Sequence, residues 1–106
     1  MKILLLEDDM ILSEIIEEYL IDLGYEVSPV YNANEAEDLA YSSRFDLMLL
    51  DVNVPRGNGF DILGDLRERG NTTPAIFITS LDDATDMQIG FDKGCDDYIK
   101  KPFELK

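Results

Sequence analysis

The sequence has no histidine, no tryptophan and a single cysteine, Cys95. Without histidine there are no imidazole metal ligands, no histidine general bases and no Ser-His triads. One cysteine cannot close a disulfide within the chain, which fits a reducing compartment such as the cytosol. Cys95 stands in KGCDDY, beside a glycine and ahead of an expected strand, and reads as a small packed residue. Basic residues are scarce: 9 Lys and Arg against 23 Asp and Glu, a formal net charge of −14. That balance repels phosphate backbones and anionic membranes and favours cations and basic partners. A solvated acidic surface accounts for most of the carboxylates. No apolar run approaches the roughly 20 residues of a membrane span, and MKILLLEDD turns acidic too soon to be a signal peptide.

What the sequence does have is alternation. Its 106 residues suit one domain, with neither repeats nor linkers. KILLL, residues 2–6, is a short apolar run that predicts a buried strand. Ile11, Leu12, Ile15, Ile16, Tyr19, Leu20 and Leu23 follow at the spacing of one helix face, with Asp9 to cap its start and Gly24 its end. YEVSPV, residues 25–30, predicts a second strand, which Pro29 assigns to an edge of the sheet. Asn34-Glu35 opens a shorter helix with Ala36, Leu39 and Ala40 inward. DLMLL, residues 46–50, is a third strand, apolar on both faces. FDILGDLRER, residues 60–69, is an amphipathic helix burying Ile62, Leu63 and Leu66. AIFIT, residues 75–79, is a fourth strand. A fourth helix is expected around Met87, Ile89, Gly90 and Phe91, with Gly94 as its terminator. A fifth strand runs from Asp96 or Asp97 to Lys100. Strict βα alternation with central strands apolar on both sides means a doubly wound parallel sheet. Glu104-Leu105-Lys106 looks like the start of a final helix, so the domain is expected to continue beyond the given chain.

In such sheets ligands bind beyond the carboxyl ends of the strands. Those ends carry Glu7, Asp8 and Asp9 after the first strand, Asp51 after the third, Thr79-Ser80 after the fourth and Lys100-Lys101 after the fifth. Unit charges 4 Å apart repel by about 1 kcal/mol in water and by more near a protein surface. Gathering Glu7, Asp8 and Asp51 therefore calls for a cation, and an all-oxygen donor set suits Mg²⁺. A cation, Lys101 and the Thr79 hydroxyl around one carboxylate would make a site for an incoming phosphoryl group, with Asp51 as nucleophile. Each piece alone has a plain structural explanation: EDD as a helix cap, Thr79 as a strand former, KKP as a surface turn. Their joint order on this topology is what points to the chemistry. Pro55 is expected to start a turn, and Gly57 and Gly59 to permit φ > 0 beside the site.

With LLLEDD, LLDVNVPRGNG, FITS and DDYIKKPF on one chain, the sequence resembles the receiver domain of two-component response regulators over essentially its whole length. The resemblance implies a flavodoxin-like five-stranded sheet of order 2-1-3-4-5. That strand order is taken over from the chemotaxis member of the same family. It implies Asp51 as phosphoacceptor, Asp8 as a direct Mg²⁺ ligand, Glu7 acting through water and the Asn53 backbone carbonyl as a third protein ligand. Thr79 would be the switch hydroxyl, Tyr98 the switch aromatic, and Lys101, ahead of a cis-Pro102, the lysine that pairs with phosphate. Asn53 and Leu81 would set the lifetime of the phosphorylated state. Asp9 is expected to cap the first helix.

The implied partner is a sensor histidine kinase, since this chain has no histidine of its own to carry phosphate. The chain would catalyse only its own phosphorylation and dephosphorylation. Asp96 and Asp97 match acidic positions of the OmpR-like class, whose members dimerise through the fourth helix, fifth strand and fifth helix. Transcription control by a separate DNA-binding domain is then the expected output, and a stand-alone chemotaxis-type receiver is the alternative. Two rivals are weaker. A haloacid-dehalogenase-like phosphatase needs an acid two residues after the nucleophile, where this chain has Asn53. A pseudo-receiver that never uses phosphate leaves the full residue set unexplained. The connection between Asp51 and Thr79 is a residue or two short for the family, which a trimmed loop near Gly70-Asn71 would absorb.

Overall fold

Five strands form one parallel sheet in the order β2-β1-β3-β6-β7 in the computed structural model, which describes residues 1–79 and 96–100. The elements are β1 (Lys2–Leu6), α1 (Met10–Asp22), β2 (Glu26–Val30), α2 (Ala33–Ser42), β3 (Leu47–Asp51), β4 (Asn53–Val54), β5 (Gly57–Asn58), α3 (Gly59–Glu68), β6 (Ala75–Thr79) and β7 (Asp97–Lys100). β4 and β5 pair with each other as a separate antiparallel hairpin. Counting only the strands of the large sheet, the order is the expected 2-1-3-4-5, and β2, with Pro29, lies at an edge. The expected fourth helix, Leu81, Cys95 and Lys101-Pro102-Phe103 lie outside the described residues.

The central strands are buried on both faces, and alternate residues feed two cores. Leu4, Leu6, Met48, Leu50 and Phe77 join α2 and α3 in the larger one. Ile3, Leu5, Leu49 and Ile78 meet Ile16 of α1 in the smaller one. Full burial of one such side chain contributes about 1.5–3 kcal/mol, so these strands are the strongest determinants of the fold. α2 presents Ala33, Ala36 and Ala40 to the sheet, and α3 presents Ile62, Leu63 and Leu66.

α1 departs from the expectation. Ile11, Ile15 and Leu23 are exposed, and the covering line is Leu12, Ile16 and Leu20, with Ser13 buried beside it. A helix lying on a sheet buries a stripe, and residues at i, i+4 and i+8 fill it. The wider apolar pattern of α1 exceeds what this stripe can cover. Gly24 does end the helix, at φ 95°, with its N–H on the Ile21 carbonyl and the Tyr25 N–H on the Leu20 carbonyl.

Candidate metal centre

β1 and β3 are adjacent and parallel, so their carboxyl ends open at the same edge of the sheet. At the end of β1, Glu7 is fully buried and its N–H donates to the Val30 carbonyl at 3.2 Å. Asp8 faces solvent. Asp9 caps α1, its Oδ1 accepting from the Ile11 and Leu12 N–H groups at 3.1 Å each. The Asp9 N–H in turn donates to Glu7 Oε2 at 3.1 Å, which fixes the Glu7 side chain from its own corner.

Asp51 is the last residue of β3, still paired with Ile78 of β6, where the sequence placed the strand end at Leu50. Only 5% of it is exposed, so it forms the floor of the site and does not stand out from the edge. Glu7, Asp8 and Asp51 each offer a carboxylate oxygen, and these oxygens lie within 4.8 Å of one another. Oxygens on opposite sides of a six-coordinate Mg²⁺ are about 4.2 Å apart, so the trio is close to the size of one such shell. The all-oxygen donor set fits this hard cation, and one carboxylate can act through water.

The chain after Asp51 is shaped by the hairpin, which the sequence did not foretell. The Asn53 N–H points back to Asp51 Oδ1 at 3.3 Å, and the Asn53 side chain is exposed. Asn53 pairs with Asn58 and Val54 with Gly57, leaving Pro55 and Arg56 as the turn. Proline second and φ > 0 third is the pattern of a type II turn, but here the residue with φ 66° is Arg56, where glycine is usual. Gly57 follows at φ 150°, as expected for a glycine-dependent position.

Gly59 corrects the expectation. Its φ is not positive, and it is required by space: a Cβ there would stand 2.6 Å from the Asp51 carbonyl oxygen and 2.9 Å from Phe77 Cε1. α3 thus starts hard against the backbone of Asp51, and the Gly59 N–H donates to the Val52 carbonyl at 2.8 Å. Phe60 meets Phe77 edge-on, with ring centroids 5.1 Å apart, just behind this contact.

The backbone brings further expected residues to the same edge. Thr79 ends β6 one position beyond the Ile78 that pairs with Asp51, and Lys100 is its register partner on β7. Tyr98 pairs with Phe77. Asp96 is engaged within its own chain: its Oδ2 accepts from the Ala75 N–H at 2.9 Å and lies 3.7 Å from Arg67. A cleft of 820 Å³ opens at the opposite end of the sheet, between the α2–β3 and α3–β6 connections, with Arg44, Asp46 and Arg69 among its walls. None of the carboxylate trio lines it, so this cleft is separate from the reactive groups. Among the described residues no helix is long and apolar enough to cross a membrane.

The family described as the response regulator receiver domain matches residues 3–106. The chain is 45% identical to the transcriptional regulatory protein CrdR of Helicobacter pylori over 105 residues, covering 98% of this chain and 49% of that protein. It is 43% identical to the transcriptional regulatory protein CiaR of Streptococcus pneumoniae, covering 99% of this chain and 46% of that one. The chain spans about half the length of these curated relatives. Among solved structures, the Francisella response regulator 1452 receiver domain superposes with a TM-score of 0.93 at 28% identity, covering 97% of this chain and 85% of that one. The Vibrio cholerae chemotaxis protein CheY4 superposes with a TM-score of 0.91 at 30% identity, covering 97% and 88%.

Proposed function

Because the chain belongs to the family of response regulator receiver domains, we propose that residues 1–106 act as one receiver domain with Asp51 as phosphoryl acceptor. The observation that carries this reading is the grouping of Glu7, Asp8 and Asp51 within 4.8 Å at the edge where β1 and β3 end. Asp8, Asp51 and the Asn53 backbone carbonyl would hold Mg²⁺ directly, with Glu7 acting through water. The ion supplies neutralisation of the negative charge on a transferring phosphoryl group.

In this reading a sensor histidine kinase presents a phosphohistidine. An Asp51 carboxylate oxygen attacks phosphorus, an acyl phosphate O–P bond forms, and the N–P bond breaks with its electron pair returning to the imidazole. The floor position of Asp51, with its neighbour Asn53 N–H at 3.3 Å, orients the carboxylate for that attack. Lys101 would pair with the bound phosphate. Thr79 would be drawn to it, and Tyr98 would move with Thr79 to alter the output face. Asn53 and Leu81, flanking the phosphoryl position, would set how long it persists. The chain turns over no outside substrate in this scheme; it promotes its own phosphorylation and hydrolysis.

Relatives about twice as long carry names as transcriptional regulatory proteins. The whole protein is accordingly read as an OmpR-like cytoplasmic regulator that reaches DNA through a separate output segment. Dimerisation through the fourth helix, fifth strand and fifth helix would couple the two. The likeness to a chemotaxis protein keeps a stand-alone receiver as the second reading. Beryllofluoride, a phosphoryl mimic, tests the site directly. With Mg²⁺ present, the fluorine NMR spectrum should gain resonances of a bound species in the parent chain and none in Asp51→Asn. Equal bound signals in both chains would remove Asp51 from its role.

A further inference from the structure

We infer that Ala33 and Gly57, on two different elements, form the positioning pair that sets where the Asn53 carbonyl stands at the metal centre. This rests on the reading of that centre given above.

A hairpin of two-residue strands is not stable by itself, so the β4–β5 hairpin that carries Asn53 must be held by something outside it. The Gly59 N–H, donating to the Val52 carbonyl at 2.8 Å, only continues the hairpin's own ladder. The backbone contact from another element is that of α2: the Ala33 N–H donates to the Pro55 carbonyl at 3.1 Å, at the turn of the hairpin. Ala33 is the first residue of α2, where helix N–H groups lack a partner within the helix, so this donor is available without weakening α2. The neighbouring cap takes another of these donors: Asn32 Oδ1 accepts from the Glu35 N–H at 3.0 Å.

The residues at the contact are small, an alanine facing a glycine. Ala33 is buried, 5% exposed, and a Cβ built on Gly57 would stand 3.0 Å from the Ala33 Cβ. A side chain at Gly57 would crowd the start of α2, one side or the other having to give by a few tenths of an ångström. Gly57 is paired with Val54, and Asn53 with Asn58, so a push on Gly57 is passed through the ladder to the residue expected to face the ion. Metal–ligand distances tolerate changes of only about 0.2 Å. A methyl group added at Gly57 must move the hairpin or α2 by a few tenths of an ångström, and a larger side chain at Ala33 faces the same narrow gap. Ala33 and Gly57 touch neither ion nor phosphate in this account; they act through Asn53.

The test is a calorimetric Mg²⁺ titration of the whole chain without any phosphodonor, alongside its thermal midpoint. Ala33→Val should weaken Mg²⁺ binding by about tenfold, the lower end for loss of an outer-sphere support. Gly57→Ala should weaken it too, and adding Ala33→Gly to Gly57→Ala should recover part of the loss by clearing the opposing methyl group. Ile3→Val, a trim in the other core near the amino end of β1, should lower the midpoint and leave Mg²⁺ affinity unchanged. Ala33→Ser, one atom larger than alanine, keeps the measurement available where Ala33→Val fails to fold. The inference is overturned if Ala33→Val and Gly57→Ala lower the thermal midpoint yet bind Mg²⁺ as the parent does. A parent chain that binds no Mg²⁺ would instead overturn the reading of the centre itself.

Discussion

β1 and β3 lie side by side, and each runs apolar residues into carboxylates at one edge, yet the chain leaves the two strands in different ways. After β1 it passes through Glu7, Asp8 and Asp9 and enters α1 at once, and side chains make that corner: Asp9 caps the helix and its N–H holds Glu7. After β3 it makes a hairpin before α3, and there the corner depends on side chains that are missing, at Gly57 and Gly59. A corner made by side chains loses one hydrogen bond when one of them changes. A corner made by close backbone approach has nowhere to put an added atom.

The most damaging test of that contrast is Gly59→Ala. Its methyl group would meet the Asp51 carbonyl oxygen at 2.6 Å, and neither backbone nor Phe77 can yield cheaply. A loss of about 3 kcal/mol is expected in urea unfolding, at the upper end of overpacking costs. Asp9→Ala at the other corner should cost only about 1 kcal/mol, the usual loss of a helix cap. Equal losses at the two positions would erase the distinction.

Arg56 sharpens it in the opposite direction. A left-handed conformation costs a residue with a side chain roughly 1–2 kcal/mol, and Arg56 sits at φ 66° in the hairpin turn. Arg56→Gly should therefore raise stability by about 1 kcal/mol, less the extra freedom glycine gains in the unfolded chain. A fall in the unfolding midpoint would show that the Arg56 side chain makes a compensating contact.

The smallest effect lies away from both corners, where α2 meets α3. Burial pushes the Glu37 carboxyl above its ordinary value of 4.5, Asp65 adds to the rise, and Arg69 opposes it. The folded chain thus binds this proton more readily than the unfolded chain, so ionised Glu37 weakens the fold at neutral pH. That penalty is absent below pH 4.5 and is complete once pH has risen through the raised value. Glu37→Gln should be slightly more stable than the parent at neutral pH, with the advantage shrinking as the pH falls. Thermal melts of the two chains across that range check the sign.

Much of this was legible in the residues. Leucine-rich runs in β1 and β3 announced buried parallel strands, and the carboxylates closing them announced the site. AIFIT matched β6 residue for residue, and Asp9 and Gly24 bounded α1 as read. What escaped was tertiary. Asn53–Val54 and Gly57–Asn58 are too short to show a strand pattern, and nothing local to Ala33 says that it abuts a loop more than twenty residues further along. Gly59 looked like a turn glycine because the atoms that exclude a side chain there come from Asp51 and Phe77. Ile11 and Ile15 looked internal because periodicity gives the apolar face of a helix without the width of the surface that covers it. Tyr98 and Thr79 were placed on their strands by register, and Lys101 and Leu81 lie outside the described residues.

The central claim is that the floor carboxylate of the trio, and no other of the 23 acidic side chains, receives phosphate. Intact mass after incubation with acetyl phosphate, with and without Mg²⁺, tests it most directly. The account predicts one added phosphoryl group on the parent chain in the presence of Mg²⁺, a strongly reduced yield without the ion, and none on Asp51→Asn. An Asp51→Asn chain that gains the same mass as its parent would contradict it.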